Sequence, residues 1–330
     1  MFAIAITDHL EGPADRASAE VYQEVAELVR LGDELGVQYA LFAEHHAHAH
    51  FGHCPTPLLF ALHLAGQTRR IQLGTAIVCA NLHDPLDFAE QVAVADVLSG
   101  GRIAPGFGSG STPEEVTMFG LPQLDESGRH ARFERSLETI LGAWAAGRVG
   151  GSTGGDMPFL PMPASSLASR SFSAVNSVGA ARVAGRFNLN VLFSHLRTPA
   201  QYNEYRAAYR AAGGRGLIAA NRPVYVAKDD ATAWAQAEPA LRTLWRRFRH
   251  EGKIAADIDE PVELAPLCDH PINFIVGGPE SVARQLGDLH RQSPFDIANL
   301  EFRWASLPHE QVLQSLRLLM TRALSHLGKS

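Results

Sequence analysis

The sequence predicts an α/β protein folded as one (β/α)8 TIM barrel over residues 1–330, with an insertion between its seventh and eighth strands. Three observations lead there. Short apolar runs alternate with longer segments of helical periodicity, and repeated strand–helix units build parallel sheets. About eight such units fit along the chain, which favours a closed barrel over an open doubly wound sheet. No second domain and no internal repeat is discernible.

The elements follow in order. Phe2–Thr7 (FAIAIT) reads as the first strand. Ser18–Leu35 carries Val21, Val25, Leu28, Leu31 and Leu35 at helical spacing, and Gly36 marks its stop. Tyr39–Ala43 is the second strand, Pro57–Thr68 a helix and Ile71–Cys79 the third strand. The helix Pro85–Leu98 ends at Ser99-Gly100-Gly101, and Arg102–Phe107 is the fourth strand. A helix runs from about Gly128 to Ala146, and the Gly/Pro/Ser-rich stretch Gly150–Ser166 reads as loop. Ser171–Val175 reads as the end of the fifth strand, Ser177–Arg186 as a helix and Asn190–Phe193 as the sixth strand. Pro199–Ala212 is helical, Arg222–Ala227 is the seventh strand, and Asp229–His250 is a helix with arginines near its end. Ile297–Trp304 is the eighth strand and Pro308–Leu327 the last helix. Residues 251–290 fit no single unit and read as the insertion, holding a short helix at Pro279–Leu289.

Composition narrows the function. A chain that is 46% hydrophobic and 19% charged reads as a soluble globular protein. Its net charge of −6 argues against nucleic acid as the main partner, because phosphate backbones need a basic surface. Cys54, Cys79 and Cys268 are odd in number and far apart, so neither a disulfide framework nor a zinc pattern emerges. A reducing cytoplasm is the expected setting. The N-terminus lacks a basic segment followed by a long apolar one, so no signal peptide is expected. No run approaches the roughly 18 apolar residues of a membrane span. The run from His45 to His53 places imidazoles at alternate positions, yet no further ligand is placed to complete a set. No metal site is expected.

In such barrels the chemistry gathers at the C-terminal ends of the strands. Glu44-His45-His46 follows the second strand, and Asn81-Leu82-His83-Asp84-Pro85 the third. Gly106–Ser111 (GFGSGS) follows the fourth. Histidine suits proton transfer because it titrates near working pH. Glycine lets backbone approach a planar ring or a phosphate. The spacing is not GxGxxG, so no Rossmann reading follows. Ser173, Asn176 and Ser177 precede a helix N-terminus, where free N–H groups and the helix dipole favour an anion. Ordinary N-capping by Ser177 is the alternative reading of that stretch.

FAEHH (Phe42–His46) resembles the EHH signature of luciferase-like flavin-dependent monooxygenases. LGTAIV (Leu73–Val78), LHDP (Leu82–Pro85) and AEQVAVADVLSGGRIAPGFGSG (Ala89–Gly110) follow in that family's order. MFG (Met118–Gly120) and RHARFERSLETI (Arg129–Ile140) complete the series. The resemblance is clear up to about residue 145, thinner from Ser173 to Phe193 and faint beyond.

The resemblance implies a TIM barrel and a two-component monooxygenase. Such an enzyme takes reduced FMN from a separate flavin reductase and oxygenates a small organic substrate through a peroxyflavin. It implies a catalytic role for His45 and an orienting role for Glu44. It places Ala76, Glu90, Gly108 and Ser109 against the cofactor, with Glu90 near the flavin ring. Arg132 matches an arginine that reaches the FMN phosphate, a task suited to guanidinium. Ser109 stands where luciferases proper carry a phosphate-binding arginine. Gly147–Ser171 is shorter than the family's segment, which implies a flavin pocket more open on that side, a bulky substrate, or a member that has lost activity. The family also implies a homodimer, with the helices at Pro57–Leu64 and Ala89–Leu98 as candidate interfaces. Two alternatives share the fold: a deazaflavin-dependent dehydrogenase or reductase, and a non-catalytic flavin-binding paralogue.

Overall fold

Strands buried on both faces pair in parallel, and the chain supplies them as short apolar runs. The computed structural model describes residues 2–327, apart from 14, 49, 111, 151–155, 165, 251, 253, 255–258, 261–273 and 305. β1 (Ala3–Asp8), α1 (Ser18–Leu35), β2 (Tyr39–Phe42) and α2 (Pro57–Ala65) come first. β3 (Gln72–Thr75), β4 (Val78–Cys79), α3 (Pro85–Leu98), β5 (Ile103–Ala104) and β6 (Gly106–Gly108) follow. Next come α4 (Pro113–Met118), α5 (Glu126–Ala146), β7 (Arg148–Gly150), β8 (Asp156–Pro158) and α6 (Leu167–Arg170). β9 (Phe172–Val175), α7 (Val178–Arg186), β10 (Asn190–Phe193), α8 (Pro199–Ala211) and β11 (Ile218–Val226) continue the alternation. α9 (Asp230–His250), β12 (Ile275–Gly277), α10 (Pro279–Gln292), β13 (Ile297–Glu301) and α11 (His309–Thr321) complete it.

The main sheet runs β4-β6-β9-β10-β11-β13-β1-β2-β3-β5, with β12 added to β11. Every pairing in it is parallel. The two ends of that order are one region of chain. β4 continues β3 across the cis Ala76–Ile77 bond, and β6 continues β5 across Pro105. Pairing resumes beyond both breaks: Gly74 sits beside Ala104, and Val78 beside Phe107. The fold is therefore a mixed α/β one with a curled parallel sheet. Its inside is filled by Ala5, Leu41, Ala104, Phe172, Leu192, Ala219 and Ile297, a mixture of small and large side chains. The outer strand faces pack under the helices, as with Val25, Phe42 and Leu73.

Close approach explains two glycines. A Cβ on Gly74 would lie 1.7 Å from the Ala104 carbonyl oxygen, and one on Gly106 would lie 2.1 Å from that of Thr75. The Thr75 hydroxyl also stitches this seam, donating to the Gly106 carbonyl at 2.7 Å and accepting its N–H at 2.8 Å. Helix punctuation follows the sequence. Gly36 ends α1 in the left-handed region at φ 86°. Asp84 caps α3 by accepting from the Leu86 and Asp87 amides, with Pro85 just inside the helix.

Four features depart from the sequence reading. The seventh strand begins at Ile218, not Arg222, because Asn221-Arg222-Pro223 interrupts its apolar pattern without ending it. It changes partner at Pro223: up to there it pairs with β13, and Val224–Val226 pair with β12. A strand, β12, precedes the expected helix α10, and most of residues 251–274 lie outside the described residues. The stretch read as loop holds the antiparallel pair β7–β8 and the short helix α6. Its strands are three residues each, exposed, and tied by Arg148–Asp156 at 2.5 Å, so no apolar alternation announced them. No described helix is long and apolar enough to cross a membrane.

The glycine seam yields a paired prediction. Gly74→Ala must displace backbone, so urea unfolding should show a loss of about 3 kcal/mol or more, or no folded protein. Gly142→Ala, in α5 with nothing near its Cβ position, should gain about 0.5–1 kcal/mol. Equal effects at both positions would contradict the tight strand approach.

Candidate active site

The segment after β2 is fixed by the carboxylate of Glu44. The Glu44 amide donates to the Ile77 carbonyl at 3.0 Å, and its side chain turns into the protein. Oε1 accepts from His46 Nε2 at 2.6 Å and from His83 Nε2 at 2.8 Å. Oε2 accepts the Cys79 amide at 2.8 Å. One carboxylate thus joins the EHH segment, the end of β4 and the LHDP loop. Burial pushes Glu44 upward, but the bonds from His46 and His83 outweigh it and hold the carboxyl below its ordinary range. The same bond raises His46. His46 therefore serves Glu44 and does not reach for a ligand.

His45 points the other way, into a cavity of about 290 Å³. Its amide is anchored on the Cys54 carbonyl at 3.1 Å. Its Nε2 lies 3.2 Å from Nδ1 of His9, and its Nδ1 lies 3.7 Å from Glu115 Oε1. Glu115, from α4, also accepts the His46 amide at 2.9 Å. Burial pushes His45 down, more than Glu115 raises it. The balance favours the uncharged ring more than in a free imidazole. Phe51 covers it with ring centroids 5.0 Å apart, and the Arg247 guanidinium lies 4.6 Å over Phe51.

The rest of the cavity is a slot of small residues with a polar end. Ala76, Ile77, Gly108 and Ala174 line one part. A Cβ on Gly108 would lie 2.6 Å from Ile77 Cδ1, so glycine lets the Ile77 side chain pack close to the turn. Ser109, Gly110, Asn176, Ala180 and His130 line the other part. Gly110 takes φ +65°, which turns the chain at the slot's edge. Ser177 caps α7, its hydroxyl accepting the Ala180 amide at 3.2 Å. His130 packs against this helix start, where a Cβ on Gly179 would lie 2.8 Å from its Cε1. A slot edged by glycine, with a helix N-terminus and an imidazole at one end, fits a planar ring carrying an anionic group.

The structure therefore brings together His45, Glu44, Ala76, Gly108, Ser109 and Asn176 around one cavity, with Ser177 at its helix cap. Three expected residues lie elsewhere. Glu90 is exposed on α3, where helical periodicity turns Ala89 and Ala93 inward and Glu90 outward. It faces a hollow of about 570 Å³ shared with α2, not the cavity. Ser173 lies on the outer face of β9, beside Phe107 and Val191, because alternation gives the cavity to Ala174. Its buried hydroxyl has no hydrogen-bond partner. Arg132 borders a separate crevice of about 40 Å³ with Ser109 and Asn81. The sequence reading missed His9, Glu115 and His130. His130 sits in the RHARFER motif already noted, two residues from the arginine chosen. His9 directly follows the first strand, where position alone could have marked it. Glu115 in PEE reads as a solvated helix start and gave no signal.

The Glu44 bonds imply a pH window for stability. Glu44 titrates below its ordinary 4.5, so its contribution is present above that value and lost as pH falls through the lower one. His46 titrates above its ordinary 6.5, so its contribution is present below 6.5 and lost as pH rises through the higher one. Wild type should exceed Glu44→Gln by about 2 kcal/mol near pH ~6, with the gap shrinking toward both pH ~3 and pH ~9. A gap independent of pH in urea unfolding would contradict the charged pairing.

Comparison with known proteins places the chain. A family model described as luciferase-like monooxygenase matches residues 1–294. The oxygenase component of the flavin-dependent trigonelline monooxygenase of Acinetobacter baylyi is 29% identical over 41% of this chain and 38% of its own length. The F420-dependent glucose-6-phosphate dehydrogenase of Beutenbergia cavernae is 27% identical over 66% of each chain. The crystal structure of monooxygenase RslO1 from Streptomyces bottropensis superposes with a TM-score of 0.81, at 24% identity, covering 98% of this chain and 99% of that one. That likeness is one of fold. The family match spans the β2 segment, the glycine turn and the β9–α7 junction alike, and this chain is an enzyme of the luciferase-like monooxygenase family.

Proposed function

We propose that the cavity binds reduced FMN and that the chain is the oxygenase component of a two-component monooxygenase acting on a small organic substrate. A separate flavin reductase supplies the cofactor. One observation carries this reading: His45 and the helix N-terminus of α7 face the same glycine-edged slot. Bound reduced FMN would supply the electrons that activate oxygen. Ala76, Ile77, Gly108 and Ala174 would hold the ring system. Ser109, Asn176, His130 and the start of α7 would hold the phosphate, in place of the luciferase arginine and of Arg132. His45 would hold or accept a proton beside the reacting atoms. Phe51 and Arg247 would keep water from it.

The curled sheet is read here as a closed (β/α)8 barrel and residues 251–290 as an insertion in it. A homodimer is part of the same reading. Leu59 on α2 and Val94, Val97 and Leu98 on α3 are exposed beside the 570 Å³ hollow, an apolar face of the kind that pairs subunits. Buried, unpaired Cys54 and Cys79 suit a reducing cytoplasm.

A second reading has its own support. The F420-dependent relative matches two thirds of the chain, and a His45–Glu115 pair also suits hydride transfer to or from a deazaflavin. Anaerobic titrations separate the two. Reduced FMN should bind at least about tenfold more tightly than reduced F420. His130→Ala should weaken FMN by about tenfold and leave riboflavin unchanged, since a charge-assisted bond to phosphate is worth about 1.5–3 kcal/mol. Preference for F420 would move the assignment to the dehydrogenase. Equal losses for FMN and riboflavin would remove His130 from the phosphate.

A further inference from the structure

His45 is not alone at the cavity wall; it is one ring in a line of ionisable groups that crosses the mouth of the sheet. His9, just beyond β1, stacks on it with ring centroids 5.4 Å apart at 26°. His9 Nδ1 faces His45 Nε2 at 3.2 Å. On its far side His9 Nε2 lies 3.7 Å from Oε1 of Glu301, the last residue of β13. That oxygen also accepts from His195 Nδ1 at 3.0 Å and from Asn221 Nδ2 at 2.7 Å. The other end of the line is Glu115, 3.7 Å from His45 Nδ1.

The two ends bias the rings. At 3.7 Å each carboxylate is an ion-pair neighbour and not a hydrogen-bond acceptor, so it favours positive charge on the imidazole beside it. The two inner nitrogens face each other at 3.2 Å, where two lone pairs would repel. One proton must lie between them, on His9 Nδ1 or on His45 Nε2, and the two carboxylates favour positive charge on the rings.

We propose that His9, held by Glu301, is a positioning residue for His45: it stores the shared proton and keeps His45 as the neutral Nδ1–H form with Nε2 as acceptor. In the transfer the N–H bond at His9 Nδ1 breaks and one forms at His45 Nε2. The charge moves to His45, and His9 remains neutral with its Nε2–H on Glu301. The surroundings place the proton on His9 at rest. Glu301, Asp8 and Glu11 all face it and outweigh its burial. Asp8 is matched by Arg303 at 3.0 Å, and Glu11 is paired with Arg247. His45 has Glu115 on one side but His9 and His48 as like charges on the other.

The use of this proton in turnover rests on the monooxygenase reading, but its location does not. Nuclear magnetic resonance of the flavin-free chain, with 15N-labelled histidine, tests it directly. At pH ~7 His9 should show two protonated nitrogens and His45 a neutral ring with its proton on Nδ1. His9→Gln and Glu301→Gln should each move His45 protonation upward by about one pH unit, as a neighbouring positive charge is lost. In the active enzyme the acid limb of the rate profile should move the same way. A doubly protonated His45 beside a neutral His9 in the wild type would overturn the proposal. So would a His45 midpoint that neither folded variant moves. Failure of flavin to bind would count against the proposed function and leave the ring assignments standing.

Discussion

The carboxylate of Glu44 is buried just beyond the end of β2, and among the described residues it has no ion pair with a lysine or arginine. Two imidazoles and one backbone amide hold it instead. Each of those partners belongs to a different part of the rim: His46 to the EHH segment, His83 to the loop before α3, Cys79 to the end of β4. Removing the anion would leave three donors facing a buried void, each costing about 1–3 kcal/mol if unsatisfied. With the anion in place, the segment after β2 has one conformation. Glu44 and His46 turn inward, and alternation then turns His45 toward the cavity. The position of His45 thus follows from a bond network in which it takes no part.

The seam between β3–β4 and β5–β6 performs the matching task for the slot. Gly74 and Gly106 let two strands approach closely below the cavity, and Gly108 lets Ile77 pack against the turn. β9 adds Ala174, the smallest side chain that still completes the wall, and hands the chain to α7 with its N-terminus at the slot's polar end. The slot, the helix N-terminus beside it and the His45 imidazole are therefore set by three neighbouring strand ends. A larger hollow near α2 shares Glu44 with the slot, and another lies near Arg303.

Much of this was legible in the residues. The periodicity of Ser18–Leu35, the stop at Gly36 and the cap at Asp84 are local signals, and local physics decides them. The strand-end rule assigns EHH, the glycine turn and the Ser173–Ser177 stretch to one rim from the sequence alone. What failed needed three-dimensional facts. Ser173 and Ala174 are adjacent, and which of them faces inward depends on strand register. Glu90 was placed by resemblance, while the packing of Ala89 and Ala93 turns it to solvent. Glu115 and Glu301 look like ordinary surface acids in the sequence. They matter because α4 and β13 bring them to the two ends of the His45–His9 pair, contacts that span 70 and 292 positions along the chain.

The most direct measurement is to saturate the protein anaerobically with reduced FMN, mix it rapidly with oxygen, and follow absorbance alongside hydrogen peroxide release. The monooxygenase reading predicts a long-lived absorbing species distinct from oxidised flavin, with peroxide appearing only as that species decays. Immediate formation of oxidised flavin at the rate seen without protein, with peroxide released in step, would contradict it.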